Sequence, residues 1–99
     1  MDLKTLEEAM HTFVRDKGWY EADSQRPQTS KNLAVSLVLE ASEVLEHFQW
    51  SEDSNEQDEL ASELADVMLY LLQLASINEI DLGQAVLEKL DTNYRRTWE

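Results

Sequence analysis

From Val67 to Ala75 the chain reads VMLYLLQLA, nine residues in which only Tyr70 and Gln73 carry side-chain polar atoms. Wound into a helix, this stretch is apolar almost all the way round, and such a helix must be covered on every side. Two glycines and one proline in 99 residues leave little turn punctuation, which favours long helices over a sheet. The fold class is therefore all-α. A chain of this length reads as one domain, residues 1–99, with a modest core. Three companion helices cannot enclose a fourth on their own. The expected architecture is four main helices per chain assembling into a helical-bundle homo-oligomer, a dimer or tetramer, with this helix central.

The other helices follow from apolar spacing. Leu3, Leu6, Met10, Phe13 and Val14 lie near one face of a first helix over Leu3 to Lys17, with Thr5 and Glu8 at capping-box spacing. GWYEADSQRPQTS then reads as an ordered loop. A second helix spans Lys31 to Gln49. The third spans Asn55 to Ile77, with Ser54 and Gln57 as its capping box. A fourth starts at Asp81 and Gln84 and reaches toward Trp98.

Composition narrows the function classes. The absence of cysteine excludes disulfides and thiolate zinc sites. With 21 acids against 8 bases the net charge is -13, a field that repels a nucleic-acid backbone while leaving room for a single nucleotide bound with divalent cations. The first residues carry acids where a signal peptide needs a basic region, and the longest apolar run, VMLYLL, is far short of a membrane span. A cytoplasmic protein with no nucleic-acid or membrane partner is the expectation.

Within the second helix, SLVLEASEVLEHFQW sets Glu40 and Glu43 among leucines and valines. At about 100° per residue they share a stripe with Ser36 and His47, bordered by Leu33, Leu37 and Val44 on one side and Val35 and Leu39 on the other. Glu59, Glu63, Asp66 and Tyr70 form the matching stripe on the third helix. Packed antiparallel, the two helices bring four carboxylates together, and like charges at that range raise one another's pKa values. Bound divalent cations remove the conflict, and all-oxygen ligation suits Mg²⁺ or Mn²⁺. Spacing alone is weak, because six pairs of acids stand three apart in this chain. Only Glu40/Glu43 and Glu63/Asp66 have apolar flanks. The competing reading is a solvated or salt-bridged seam.

Lys89, Asn93 and Arg96 recur at i, i+4, i+7 on the fourth helix. An aligned stripe of this kind neutralises phosphate oxygens, or it complements the helix dipole and pairs with Glu88 or Asp91.

NLAVSLVLEASEVLEHFQW followed by ELADVMLYLLQLA resembles the MazG-like, all-α nucleoside triphosphate pyrophosphohydrolases. Their hallmark is E-x-x-E, a spacer and E-x-x-D, here Glu40, Glu43, Glu63 and Asp66. Asn32 to Ala34, Phe48 to Trp50, Asp66 to Leu71 and the late Lys89, Asn93 and Arg96 are similar to the dCTP pyrophosphatase branch. The resemblance implies that the four acids bind Mg²⁺, with Mn²⁺ a possible substitute, and that Lys89 and Arg96 hold phosphate. It implies sugar or phosphate contacts for Asn93, Tyr70, Lys31 and Asn32, and base stacking on Trp50 or Trp19. The chain departs from the branch before the second helix. WYEADSQRPQTSKN is longer than the usual W-x-x-F-H-x-P segment and lacks its histidine, so the preferred base is not implied.

The implied reaction hydrolyses a (deoxy)nucleoside triphosphate to the monophosphate and pyrophosphate, a nucleotide-pool house-cleaning activity. Glu43 or another member of the cluster is the candidate general base, Glu63 a catalytic ligand, and Lys89 and Arg96 the groups that stabilise the leaving pyrophosphate. Two rivals differ in class. A ferritin-like di-metal oxidase wants two E-x-x-H motifs, and only Glu8 to His11 fits. A non-catalytic acidic helical oligomer, acting as an adaptor or regulatory partner, needs no metal.

Overall fold

A computed structural model describes residues 1–98. It contains four helices, α1 (Leu3–Asp16), α2 (Ser30–Glu46), α3 (Gln57–Ile77) and α4 (Leu82–Arg95), with no strand among the described residues. The all-α expectation holds, and each helix lies within a few residues of its expected span except at the α2 and α4 C-termini.

Local chemistry sets the boundaries. Asp2 caps α1 by accepting from the Thr5 N–H at 2.9 Å, so the helix starts ahead of the expected Thr5/Glu8 box. Gly18, at φ 76°, ends it. The Gly18 N–H donates to the Arg15 carbonyl at 2.9 Å and the Trp19 N–H to the Val14 carbonyl at 3.1 Å, a Schellman closure that folds Trp19 back onto Val14. Thr29, a cap not singled out from sequence, caps α2 through the Asn32 N–H, and Asp81 caps α4 through the Gln84 N–H at 3.0 Å, as the sequence predicts for α4. The Ser54/Gln57 box does not form. Glu56 precedes α3 without a side-chain cap, because the Ser54 hydroxyl accepts from the Glu56 N–H and meets His47 instead.

Helix α3 is the central element, packed against α1, α2 and α4, most extensively against α2. Met10, Val14 and Leu72 form the buried nucleus, with Leu3, Leu6, Trp19, Met68 and Leu82 packed round it. Leu33 is also buried. The complete α3 is long and apolar enough by length and composition to cross a membrane, contrary to the reading from its short unbroken apolar run. A core helix passes the same test, and Glu63 and Asp66 lie in its first half.

The cover is incomplete. Leu64, Leu69 and Leu71 of α3 are exposed, as are Val38 (64%) and Leu39 of α2 and Leu87 (63%) and Leu90 of α4. The accessible surface is 7893 Å², whereas a compact monomer of this mass shows about 5,800 Å². The radius of gyration is 16.0 Å, against about 13 Å for a closed domain of this length.

Candidate active site

Helices α2 and α3 run antiparallel, since His47 meets Glu63 while Glu40, earlier in α2, feels Asp66, later in α3. That register brings the two acidic pairs into one seam. Glu40, Glu63 and Asp66 are half-buried and Glu43 is exposed. The Glu40 Oε2 atom is closed off from solvent and has no hydrogen-bond partner. Burial, then the negative charges of Glu43, Asp66 and Glu63, together push the Glu40 carboxyl above its ordinary pKa. Glu59, assigned to the same stripe, stays outside the seam. Its carboxyl is raised chiefly by a hydrogen bond and charge from its exposed neighbour Glu56.

The donor set fits a hard divalent cation. It is all oxygen, it is anionic, and one buried oxygen lacks any partner. Helix packing gathers the four acids as expected, yet ligand distances are not reached. Among the described residues no three His, Asp or Glu side chains stand close enough to hold an ion as they are. Unneutralised carboxylates repel one another, and one Glu63 oxygen is engaged by His47, whose Nε2 lies 2.5 Å from Glu63 Oε2.

At Asp66 the seam opens into a cavity of about 840 Å³ between α1, the 18–29 loop, α2 and α3. One wall is apolar, built from Met10, Phe13, Val14, Trp19, Leu33 and Leu69. Arg26, Lys31 and Asn32 line another part of it, with Ser36, Tyr70 and Gln73 below. Phe13 meets Trp19 edge-on at 5.6 Å between ring centroids, and the Arg26 guanidinium lies 5.2 Å from the Trp19 ring. The volume is that of a small-molecule site.

Buried polar contacts hold the loop in place. Gln73, only 3% exposed, donates to Gln28 Oε1 at 2.7 Å and to the Tyr20 hydroxyl at 3.3 Å. His11 joins the same hydroxyl to Ser76 through contacts of 2.7 Å each. Burial raises the Tyr20 pKa.

Of the expected site residues, Lys31, Asn32, Asp66 and Tyr70 line this cavity, as does Trp19. Asn32 is partly committed, since its amide donates to the Pro27 carbonyl at 2.9 Å. Trp50 is displaced. Helix α2 stops at Glu46, three residues short of its expected end, and leaves Trp50 91% exposed, away from the cavity lining. The Lys89-Asn93-Arg96 stripe does not line the cavity either. Helix α4 ends at Arg95, Arg96 is extended at φ -79° and ψ 146°, and its guanidinium lies 3.9 Å from the Trp98 ring centre. Lys89 and Asn93 stay on α4, outside the cavity lining, and the Asn93 Oδ1 atom is buried without a partner.

His47, Gln73, Gln28 and Arg26 were not singled out from sequence for this site. Two had a readable signal: His47 lies four residues after Glu43 on the acidic stripe, and Gln73 follows Asp66 and Tyr70 at helical spacing.

Comparison with known proteins agrees with this geometry. The MazG nucleotide pyrophosphohydrolase domain pattern matches residues 28–98. The chain is 39% identical to dCTP pyrophosphatase 1 of Mus musculus and 40% identical to that of Bos taurus, each over 93 residues covering 85% of this chain and 52% of the relative. It thus spans about half the length of the curated relatives it matches. A pyrophosphatase of known crystal structure from Archaeoglobus fulgidus superposes with a TM-score of 0.77 at 35% identity, over 97% of this chain and 92% of that one. With four helices, paired acidic motifs and that match, the chain belongs to the MazG nucleotide pyrophosphohydrolase family.

Proposed function

We propose that this chain, a single domain, hydrolyses (deoxy)nucleoside triphosphates to a nucleoside monophosphate and pyrophosphate with Mg²⁺, clearing nucleotide pools in the cytoplasm. The observation that carries the reading is the partnerless buried oxygen of Glu40, in a seam of four carboxylates that opens at Asp66 onto a nucleotide-sized cavity. A protein using these acids only for solubility gains nothing from sealing one away from water.

Glu40, Glu43, Glu63 and Asp66 are the residues to hold the cation. Bound there, magnesium supplies charge neutralisation on the triphosphate and a more acidic water. Glu43, the exposed member of the four, is free to accept the proton of the attacking water. Lys31 and Arg26 neutralise phosphate charge at the cavity, and Phe13 and Trp19 offer aromatic surface to base and sugar. Tyr70 and Asn32 stand within the same cavity for polar contacts to the sugar.

The roles assigned to Lys89, Asn93 and Arg96 are not assembled by one chain. They agree instead with a homo-oligomer, in which phosphate reaches those groups across a subunit boundary. About 2,000 Å² of surface beyond that of a compact monomer, together with the exposed leucines and valines of α2 and α4, support such an assembly.

Incubation with each ribo- and deoxynucleoside triphosphate and Mg²⁺, with product identification, tests the proposal. dCTP belongs in the panel because the curated relatives are named for it. Monophosphate and pyrophosphate are expected. Stepwise release of orthophosphate means a different phosphohydrolase. Absence of both turnover and Mg²⁺-dependent stabilisation by nucleotide leaves the non-catalytic oligomer as the better reading.

A further inference from the structure

We infer that His47 is a positioning residue for the acidic seam, setting Glu63 for cation binding through a hydrogen-bond chain anchored at Ser54. The inference rests on the metal-dependent reading above and concerns groups that the reading does not use. His47 is the first residue past α2, and its side chain is almost fully enclosed where the connection to α3 passes beneath the seam. Its Nδ1 lies 2.8 Å from Ser54 Oγ and its Nε2 lies 2.5 Å from Glu63 Oε2. The Ser54 oxygen already accepts the Glu56 N–H at 3.2 Å. A carboxylate only accepts, so the imidazole faces Glu63 with a protonated Nε2, and the Ser54 hydroxyl holds the ring from its Nδ1 side.

The contacts link the Glu56 N–H, the Ser54 hydroxyl, the imidazole and the Glu63 carboxylate in series. They commit Oε2 of Glu63 and leave Oε1 for the ion. Hydrogen bonds of this kind, behind a ligating carboxylate, fix its rotamer and tune its basicity. A plain clamp between α2 and α3 is the competing account. It makes no demand on the donor facing Glu63, and this separates the two.

The probe is Mn²⁺ added to the metal-free chain of residues 1–99, with bound and free ion read by electron paramagnetic resonance. His47→Leu keeps the bulk and removes both nitrogens. Its Mn²⁺ affinity is expected to fall about 10- to 100-fold. His47→Gln, whose amide N–H can replace the Nε2 donor, is expected to regain most of that affinity. Ser54→Ala frees the far end of the chain and is expected to fall between them. Equal Mn²⁺ affinity in wild type and His47→Leu overturns the inference, as does a glutamine variant no better than leucine. If His47→Leu does not fold by circular dichroism, Ser54→Ala decides, and unchanged affinity there overturns the inference. A wild-type chain that binds no Mn²⁺ refutes the metal reading itself, so the two failures are told apart before any variant is made.

Discussion

Replacing Glu40 by glutamine removes one charge from the seam and keeps the shape of the side chain. In the metal-free protein that carboxyl has one oxygen shut away from solvent and three acidic neighbours, Glu43, Asp66 and Glu63. A like-charge neighbour at helical spacing costs about 0.2–0.5 kcal/mol. Partial exposure screens each contribution, so three of them place the effect near 1 kcal/mol in favour of Glu40→Gln, on the order of 4–8 °C in Tm for a domain of this size. Saturating Mg²⁺ should invert the order. Ligand at 100 times its Kd adds about 2.7 kcal/mol to a protein that binds it only when folded, and the variant forgoes much of that gain.

The pH dependence isolates the cause. A carboxyl whose folded pKa lies above its unfolded value binds more protons in the folded state. Stability therefore falls as pH rises from the unfolded pKa through the folded one. The Glu40 carboxyl is raised, so wild type carries this penalty at neutral pH and sheds it below the ordinary glutamate pKa of about 4.3. The advantage of Glu40→Gln should be present at pH 7 and close as pH falls toward 4. Thermal melts by circular dichroism in EDTA, repeated across that range and then with Mg²⁺, read all three effects. A variant no more stable than wild type at pH 7 without metal refutes the charge argument. A difference that persists unchanged at pH 4 assigns it to packing instead.

Glu63→Ala should lower kcat for any accepted triphosphate at least about 100-fold, a loss of about 3 kcal/mol in transition-state stabilisation, while size-exclusion chromatography shows an unchanged assembly. Glu79 follows α3 in the left-handed region at φ 57°; Glu79→Gly should raise stability by about 0.5–1 kcal/mol in urea unfolding, relieving side-chain strain and a negative charge beside the helix C-terminus. Gln73→Leu strands Gln28 and removes one partner of Tyr20, so urea unfolding should show a loss of about 1–3 kcal/mol. Val38→Asp places a charge on the exposed outer face of α2; light scattering should report a smaller species than wild type, and an unchanged mass would show that this face is not the subunit contact.

Periodic features were legible in the sequence, and those depending on where a helix stops were not. The acidic stripes of α2 and α3 follow from a 3.6-residue repeat, which fixes a face whatever the helix packs against. The α4 cap was readable because Asp81 and Gln84 are local to one another. The α2 and α4 C-termini were overrun because no glycine or proline marks either one. Three residues of overrun leave Trp50 outside the cavity lining, and α4 ends at Arg95, one residue before Arg96. The Ser54/Gln57 box failed for a different reason. A capping serine has one hydroxyl, and here it serves His47 and the Glu56 N–H. Contacts such as His47 to Glu63 or Gln73 to Gln28 join residues far apart in the chain, and no local spacing announces them.

The acidic seam lies on the most extensively packed helix pair in the molecule, where a sequence shaped only for stability would place leucine. Its cost falls on the metal-free state. Four carboxylates share one seam, and one of them holds a proton more tightly than an ordinary glutamate. On the proposed reading, each of these costs is lifted by the same event, entry of a cation that all four oxygen donors suit. The net charge of -13 acts in the same direction, drawing divalent cations toward the surface and repelling an uncomplexed triphosphate. If the proposed function holds, folding and substrate binding share one electrostatic term, and reversal of the Glu40→Gln stability order on adding Mg²⁺ measures it directly.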